Sequence, residues 1–129
     1  MNFYDTVSKY VEYDTMDKKD KNVHEMEYVR EKRRYYEKKI KDEINEVLDI
    51  KLLKKILVDF KYILTAKEEF MIYNRYFFLE KNDKDMLLNF IDVMYFWGPD
   101  YDDEIKKINK LIAEKKYQTA SDICMNIKY

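Results

Sequence analysis

The sequence contains one glycine and one proline in 129 residues. Sheets and tight hairpins place those residues at their turns, so their scarcity points away from a β-rich fold and toward helices. With a single glycine, no phosphate-cradling loop of the G-x-G-x-x-G or G-K-[ST] kind can be written. Cys124 and His24 are each the sole residue of their type. No internal disulfide can form, and the three or four Cys/His ligands of a zinc site are missing. A cysteine nucleophile with a histidine base would require these two to meet and a third residue to orient the base. Cys124 instead falls on the apolar stripe of the last helix and reads as a small core residue. His24 stands at the exposed start of the second helix and reads as surface.

Charge of one sign is lacking too. Twenty-five basic residues face 26 acidic ones, for a formal net charge of -1. A general polyanion binder would be basic and a DNA mimic strongly acidic, so any charged site must be a local patch. The longest apolar stretch, Met86 to Trp97, is interrupted by Asn89 and Asp92. It falls well short of the ~20 residues that span a bilayer. Met1-Asn2-Phe3-Tyr4-Asp5 has neither the basic start nor the apolar run of a signal peptide. We therefore expect no membrane partner and a cytoplasmic protein, in the host cytoplasm if its origin is phage or viral. The choice of Lys over Arg, with abundant Tyr, Asn, Ile and Phe and little Ala, matches A/T-rich codons and suggests such an origin.

Against these absences stand 47% hydrophobic and 16% aromatic residues, enough for a real core despite 40% charge. The length suggests one helical domain over residues 1–129, with a polar linker at 14–22 between the first two helices. Spacing and cap signals predict about seven helices. The first carries Phe3, Val7 and Val11. A capping box at Asn22 and Glu25 opens the second, whose buried stripe is Met26, Val29, Tyr36, Ile40, Ile44 and Val47. The next stripe, Leu53, Ile56, Leu57, Phe60 and Leu64, points nearly the opposite way at about 100° per residue. The chain must therefore break near Leu48-Asp49, with Asp49 as the next N-cap. Thr65 with Glu68 opens the fourth helix and Asn82-Asp83 the fifth, and apolar residues run around both. Gly98-Pro99 is the strongest stop. Asp100 with Asp103 is expected to cap the sixth helix, which buries Ile105, Ile108, Leu111 and Ile112. The seventh carries Ala120, Ile123, Cys124 and Ile127. The expected fold is all-α, an antiparallel helical bundle or helical-hairpin array around the fourth and fifth helices.

Carboxylates are the only abundant catalytic groups. Glu43-x-x-Glu46 and Glu80-x-x-Asp83 each put two acids on one helix face, the arrangement that would let facing helices hold Mg²⁺ over a nucleotide phosphate. The run Asp100, Asp102, Asp103, Glu104 lacks the glycine and distal ligand of a calcium loop and complements a helix dipole. Tyr73, Tyr76, Phe77 and Phe78 with Tyr95, Phe96 and Trp97 read as core, Trp97 nearest the rim.

One feature stands above this background. Between Arg30 and Lys41 lie seven basic and two acidic residues, including three of the four arginines. Arg30, Arg34, Lys38 and Lys41 fall in a strip about 80° wide, off the buried stripe. Arg33 adds a further guanidinium, and Tyr28 and Tyr35 flank the strip. Guanidinium forks and exposed rings suit a nucleic-acid backbone or an acidic protein groove. The bland alternative is a solvated face stitched by Glu27, Glu31 and Glu37. We expect a non-enzymatic protein-binding regulator or inhibitor, in the class of phage- or virus-type antagonists of host nucleic-acid-processing or defence enzymes, including anti-CRISPR-like proteins. It would use Tyr28, Arg30, Arg33, Arg34, Tyr35, Lys38 and Lys41, with no cofactor and no bound metal. A nucleic-acid binder using the same face is the alternative. A metal-dependent nucleotide hydrolase using the paired carboxylates comes third. A homodimer and a monomer are equally open.

Overall fold

A computed structural model describes residues 2–19 and 23–129, including side chains except those of 23–25. The capping box at Asn22 and Glu25 and the side chain of His24 lie outside the described residues. The fold is all-α: 79% helical, with seven α-helices and no strand among the described residues. The chain divides into two compact units, residues 1–47 and 48–129.

The first unit is a helical hairpin of α1 (Phe3–Asp17) and α2 (Val23–Glu43), followed by a 3-10 turn at Ile44–Glu46. Asn2 starts α1 by accepting the Asp5 N–H at 2.9 Å, relieving one of the unpaired donors of a helix start. Phe3, Val7 and Tyr10 are buried from α1, and Val29, Ile40 and Ile44 from α2 and its turn. Val11, Met26, Tyr36 and Val47, expected in the core, are only half-buried. The two helices run antiparallel: Asp17 meets Arg30, Asp14 meets Arg33, and Thr6 meets Glu43, one partner falling in number as the other rises. The polar linker is shorter than the sequence suggests. Residues 14–17 continue α1, because Asp14 is buried with ionic partners on both helices and has no need to face water.

The break at 47–49 is as the apolar phase requires. Val47 is extended (ψ 122°), and Asp49 opens α3 (Ile50–Asp59) by accepting the Leu52 N–H at 3.1 Å. Leu53, Ile56 and Leu57 are buried on α3, and Leu64 after it. Thr65 is the N-cap of α4 (Ala66–Leu79), and its hydroxyl contacts the Glu68 carboxylate. Asp83 caps α5 (Lys84–Phe96) through the Met86 N–H at 3.2 Å. Gly98 turns the chain at φ 128° into a 3-10 turn, Pro99–Tyr101, that leads to α6 (Asp102–Ala113). Asp100 therefore lies inside that turn and does not cap α6. Proline at its first position preorganises the turn, and Tyr101 takes the N-cap position. A left-handed Lys115 ends α6 before α7 (Tyr117–Cys124).

In this second unit α4 packs against α3 and α7, while α5 packs against α6 and α7. Phe90 of α5 is the hub of the core. The rings of Phe70, Tyr73 and Phe77 from α4 lie 5.2, 4.7 and 5.8 Å from it. Asn74, buried on α4, donates its amide to the carbonyls of Cys124 at 2.9 Å and Ile127 at 2.8 Å, which satisfies acceptors left open at the end of α7. Coverage of α4 and α5 is incomplete. Phe78, Leu88, Tyr95 and Phe96 are exposed, although apolar residues all around the two helices suggested burial on every side.

Candidate partner-binding face

The basic run of α2 divides once its neighbours are in place. Arg33 leans toward α1, where its Nε donates to Asp14 Oδ1 at 2.9 Å. Lys18 Nζ sits 3.0 Å from the other oxygen of Asp14, and the Arg33 guanidinium lies 5.8 Å from the Tyr10 ring centre. Burial pulls the Arg33 guanidinium down, but the hydrogen bond and charge of Asp14 outweigh it and leave its pKa raised. Arg30 Nε donates to Asp17 Oδ1 at 3.2 Å. Two of the three arginines in the run thus stitch the hairpin.

What remains outward is a different surface. Arg34, Lys38 and Lys41 are exposed. Lys38 reaches Asp42 at 3.5 Å, a weak exposed pair, while Arg34 and Lys41 form no ion pair among the described residues. Tyr28 and Tyr35 are 54% and 57% exposed, a large share for rings that have apolar partners within reach. They belong to a chain of four tyrosines. Tyr28 meets Tyr13 edge-on at 6.4 Å, Tyr13 stacks on Tyr36 at 5.8 Å, and Tyr36 meets Tyr35 edge-on at 5.0 Å. A hydrogen bond with Tyr28 holds the Tyr13 phenol above its usual pKa. Lys32 sits over the Tyr28 ring at 5.8 Å and Lys39 over the Tyr35 ring at 6.0 Å, so the Tyr-x-x-x-Lys pair repeats after seven residues. Tyr35, Lys38, Lys39 and Asp42 line an open hollow of about 240 Å³. The seven sequence-predicted residues therefore separate: Tyr28, Arg30, Arg34, Tyr35, Lys38 and Lys41 are exposed, Arg30 and Lys38 each with an acidic partner, while Arg33 is half-buried against α1.

Sequence reasoning missed the partners on α1: Asp14 and Asp17 for the arginines, and Tyr13 for the rings. A signal was present. Asp14-x-x-Asp17 and Arg30-x-x-Arg33 have the same spacing on either side of a short connection. That is the pattern two antiparallel helices need to form consecutive ion pairs.

The other chemical candidates have structural employment. Among the described residues, no group of three or more His, Cys, Asp or Glu is placed to hold a metal ion. Asp83 accepts from the Met86 N–H, from the Tyr76 hydroxyl at 2.5 Å and from Lys54 Nζ at 3.1 Å. Burial would raise its carboxyl pKa, but these bonds and the Lys54 charge hold it below the usual value. Glu43 receives a long bond from the Thr6 hydroxyl at 3.4 Å. Cys124 is fully buried, and burial pushes its thiol up to about 12, which keeps it unreactive at neutral pH. No described helix is long and apolar enough to cross a membrane. No protein-family model, curated protein or solved structure matches the chain.

Proposed function

We propose that the outward face of α2 docks a protein partner, and that the protein is a binding regulator acting by occupancy. The observation that carries this reading is that Arg33 is turned into the hairpin against buried Asp14, while Arg30, though exposed, is paired with Asp17. A phosphate backbone is gripped by free guanidinium and ammonium groups, and pairing Arg30 and Arg33 with acids weakens the face for that task. The residues left outward, tyrosines with lysines over their rings and acids interspersed, suit a mixed protein surface. Tyrosine supplies large contact area at low entropic cost there, and lysine orients an acidic rim. Inhibition of a host enzyme by a phage- or virus-type antagonist is one form of such occupancy, and the A/T-type residue usage fits that setting.

The test compares two variants with the parent in affinity capture from candidate host cells and in direct binding to DNA and RNA. One carries Tyr28→Ala with Tyr35→Ala; the other carries Arg34→Glu, Lys38→Glu and Lys41→Glu. A protein retained by the parent and lost by both variants supports docking. Tight, salt-sensitive binding of the purified parent to DNA or RNA, lost in the charge variant, would replace this reading with the nucleic-acid one. Retention of every partner by both variants would reduce the face to a solvated helix surface.

A further inference from the structure

Glu69 on α4 is fully buried, a costly place for a carboxyl group. The Trp97 indole N–H donates to its Oε1 at 3.4 Å, and the Tyr62 backbone N–H also hydrogen-bonds to it. Its Oε2 has no hydrogen-bond partner among the described residues, and neither does the buried hydroxyl of Tyr73 one turn further along α4. Glu69 thus joins α4, the corner between α3 and α4, and the C-terminal end of α5. That corner is strained, because Tyr62 sits at φ 64° where side chains are disfavoured. It is also tied from outside, where Lys61 Nζ reaches Asn89 Oδ1 at 3.2 Å and Asp92 Oδ2 at 3.4 Å on α5. The exposed rings of Tyr62 and Phe96 meet over it at 4.9 Å.

We propose that Glu69 is a proton-operated latch: protonated, it stays dry between the α3–α4 corner and the end of α5, and on losing its proton it draws water to the unpartnered Oε2, which opens the Tyr62 corner and wets Trp97. A neutral carboxyl can leave one oxygen unpartnered at modest cost, whereas a buried carboxylate with an orphan oxygen demands water or a cation. Burial pushes Glu69 up to about 7, against the bonds from Trp97 and Tyr62 and the charge of Lys61 that pull it down. The other ionisable groups facing the cluster are Tyr62 at the corner, Tyr73 on α4 and Asp92 on α5. Tyr73 stays protonated, because burial raises its phenol far above neutrality. The switch therefore belongs to one carboxyl. It lies in the second unit and is independent of the α2 face.

Trp97 is the chain's only tryptophan, so its emission reports this site alone. The experiment follows that emission, the side-chain carboxyl ¹³C signals and Tyr62 amide exchange across the neutral pH range. We expect one carboxyl to titrate at about 7, with Trp97 emission moving in step and Tyr62 exchange, corrected for intrinsic pH dependence, rising severalfold above the midpoint. Glu69→Gln should remove the emission change. The carboxyl signals need no substitution, so they decide the matter even if that variant does not fold. No carboxyl titrating above about pH 6 overturns the proposal. So does an emission transition that persists in a folded Glu69→Gln variant, or a titrating Glu69 that leaves Trp97 and Tyr62 unmoved.

Discussion

Asp14 Oδ1 accepts from Arg33 Nε at 2.9 Å, and one turn away Asp17 Oδ1 accepts from Arg30 Nε at 3.2 Å. The first pair is the more enclosed, with Asp14 only 4% exposed. Asp14→Ala strands a guanidinium that is mostly shielded from water. It should cost about 2 kcal/mol, below the 3–5 of a fully buried pair because Arg33 keeps an edge in solvent. Denaturant unfolding followed by circular dichroism measures the loss, and an unchanged midpoint would show the pair to be ornamental.

Adjacent arginines should behave oppositely. Arg33→Glu brings a second acid against the buried Asp14 and should lower the unfolding midpoint markedly. Arg34→Glu alters an exposed side chain and should stay within about 0.5 kcal/mol of the parent. Equal effects in the two variants would contradict the division of the basic run between hairpin and outward face.

Stability should depend on pH with opposite signs at its two ends. Glu69 has a carboxyl pKa raised from 4.5 to about 7, so the folded chain binds more protons than the unfolded chain between those values. Stability is then fully present below the lower value and is lost as pH rises through the higher one, by about 3 kcal/mol. Asp83 is lowered below its usual 3.8, so its contribution is present above that value and is lost as pH falls through the folded pKa. The two trends place the maximum between those unfolded-state values, at about pH 4. Urea midpoints measured from pH 3 to 9 test this, and Glu69→Gln should flatten the neutral limb while sparing the acid one.

Two turn residues make a reciprocal pair of predictions. Gly98 sits at φ 128° and ψ -178°, with nothing within 4 Å of where a Cβ would be. Gly98→Ala therefore isolates backbone strain and should cost about 1–3 kcal/mol. Lys115 adopts φ 59° after α6, with its own N–H on Ile112 O at 2.9 Å and the Lys116 N–H on Leu111 O at 2.8 Å. Glycine is the preferred residue at that cap position, so Lys115→Gly should raise stability by about 0.5–1 kcal/mol. Thermal melts of the two variants should move in opposite directions from the parent.

The parts of the fold visible in the sequence are those fixed locally. Asp49 and Asp83 cap as expected because each needs only an N–H three residues ahead. The break before α3 was legible because two apolar stripes cannot share one straight helix. Other features depend on neighbours distant in sequence. Residues 14–17 look like linker until Arg33 and Arg30 arrive from α2. Asp100 has the composition of a cap, but the Gly98-Pro99 turn decides where α6 begins. An all-round apolar pattern gave no sign that Phe78, Tyr95 and Phe96 would face outward. The basic run was visible as a run, yet α1 determines which of its cations stay outward. Nothing in a single-helix reading marked Glu69, because a glutamate in the first turn of a helix is ordinary until Trp97 and Tyr62 close over it.

The burial of Cys124 makes the protein's only thiol a clock. A reagent or oxidant reaches that sulfur only when the end of α7 opens, and its high pKa leaves almost no thiolate before then. Two molecules can become linked through sulfur no faster than each unlocks. At fixed protein concentration and with dissolved oxygen as the oxidant, the band of disulfide dimer that accumulates in a stored, unreduced sample therefore follows the open population of the second unit. Its rate of growth, compared between variants, ranks their local stability without any denaturant.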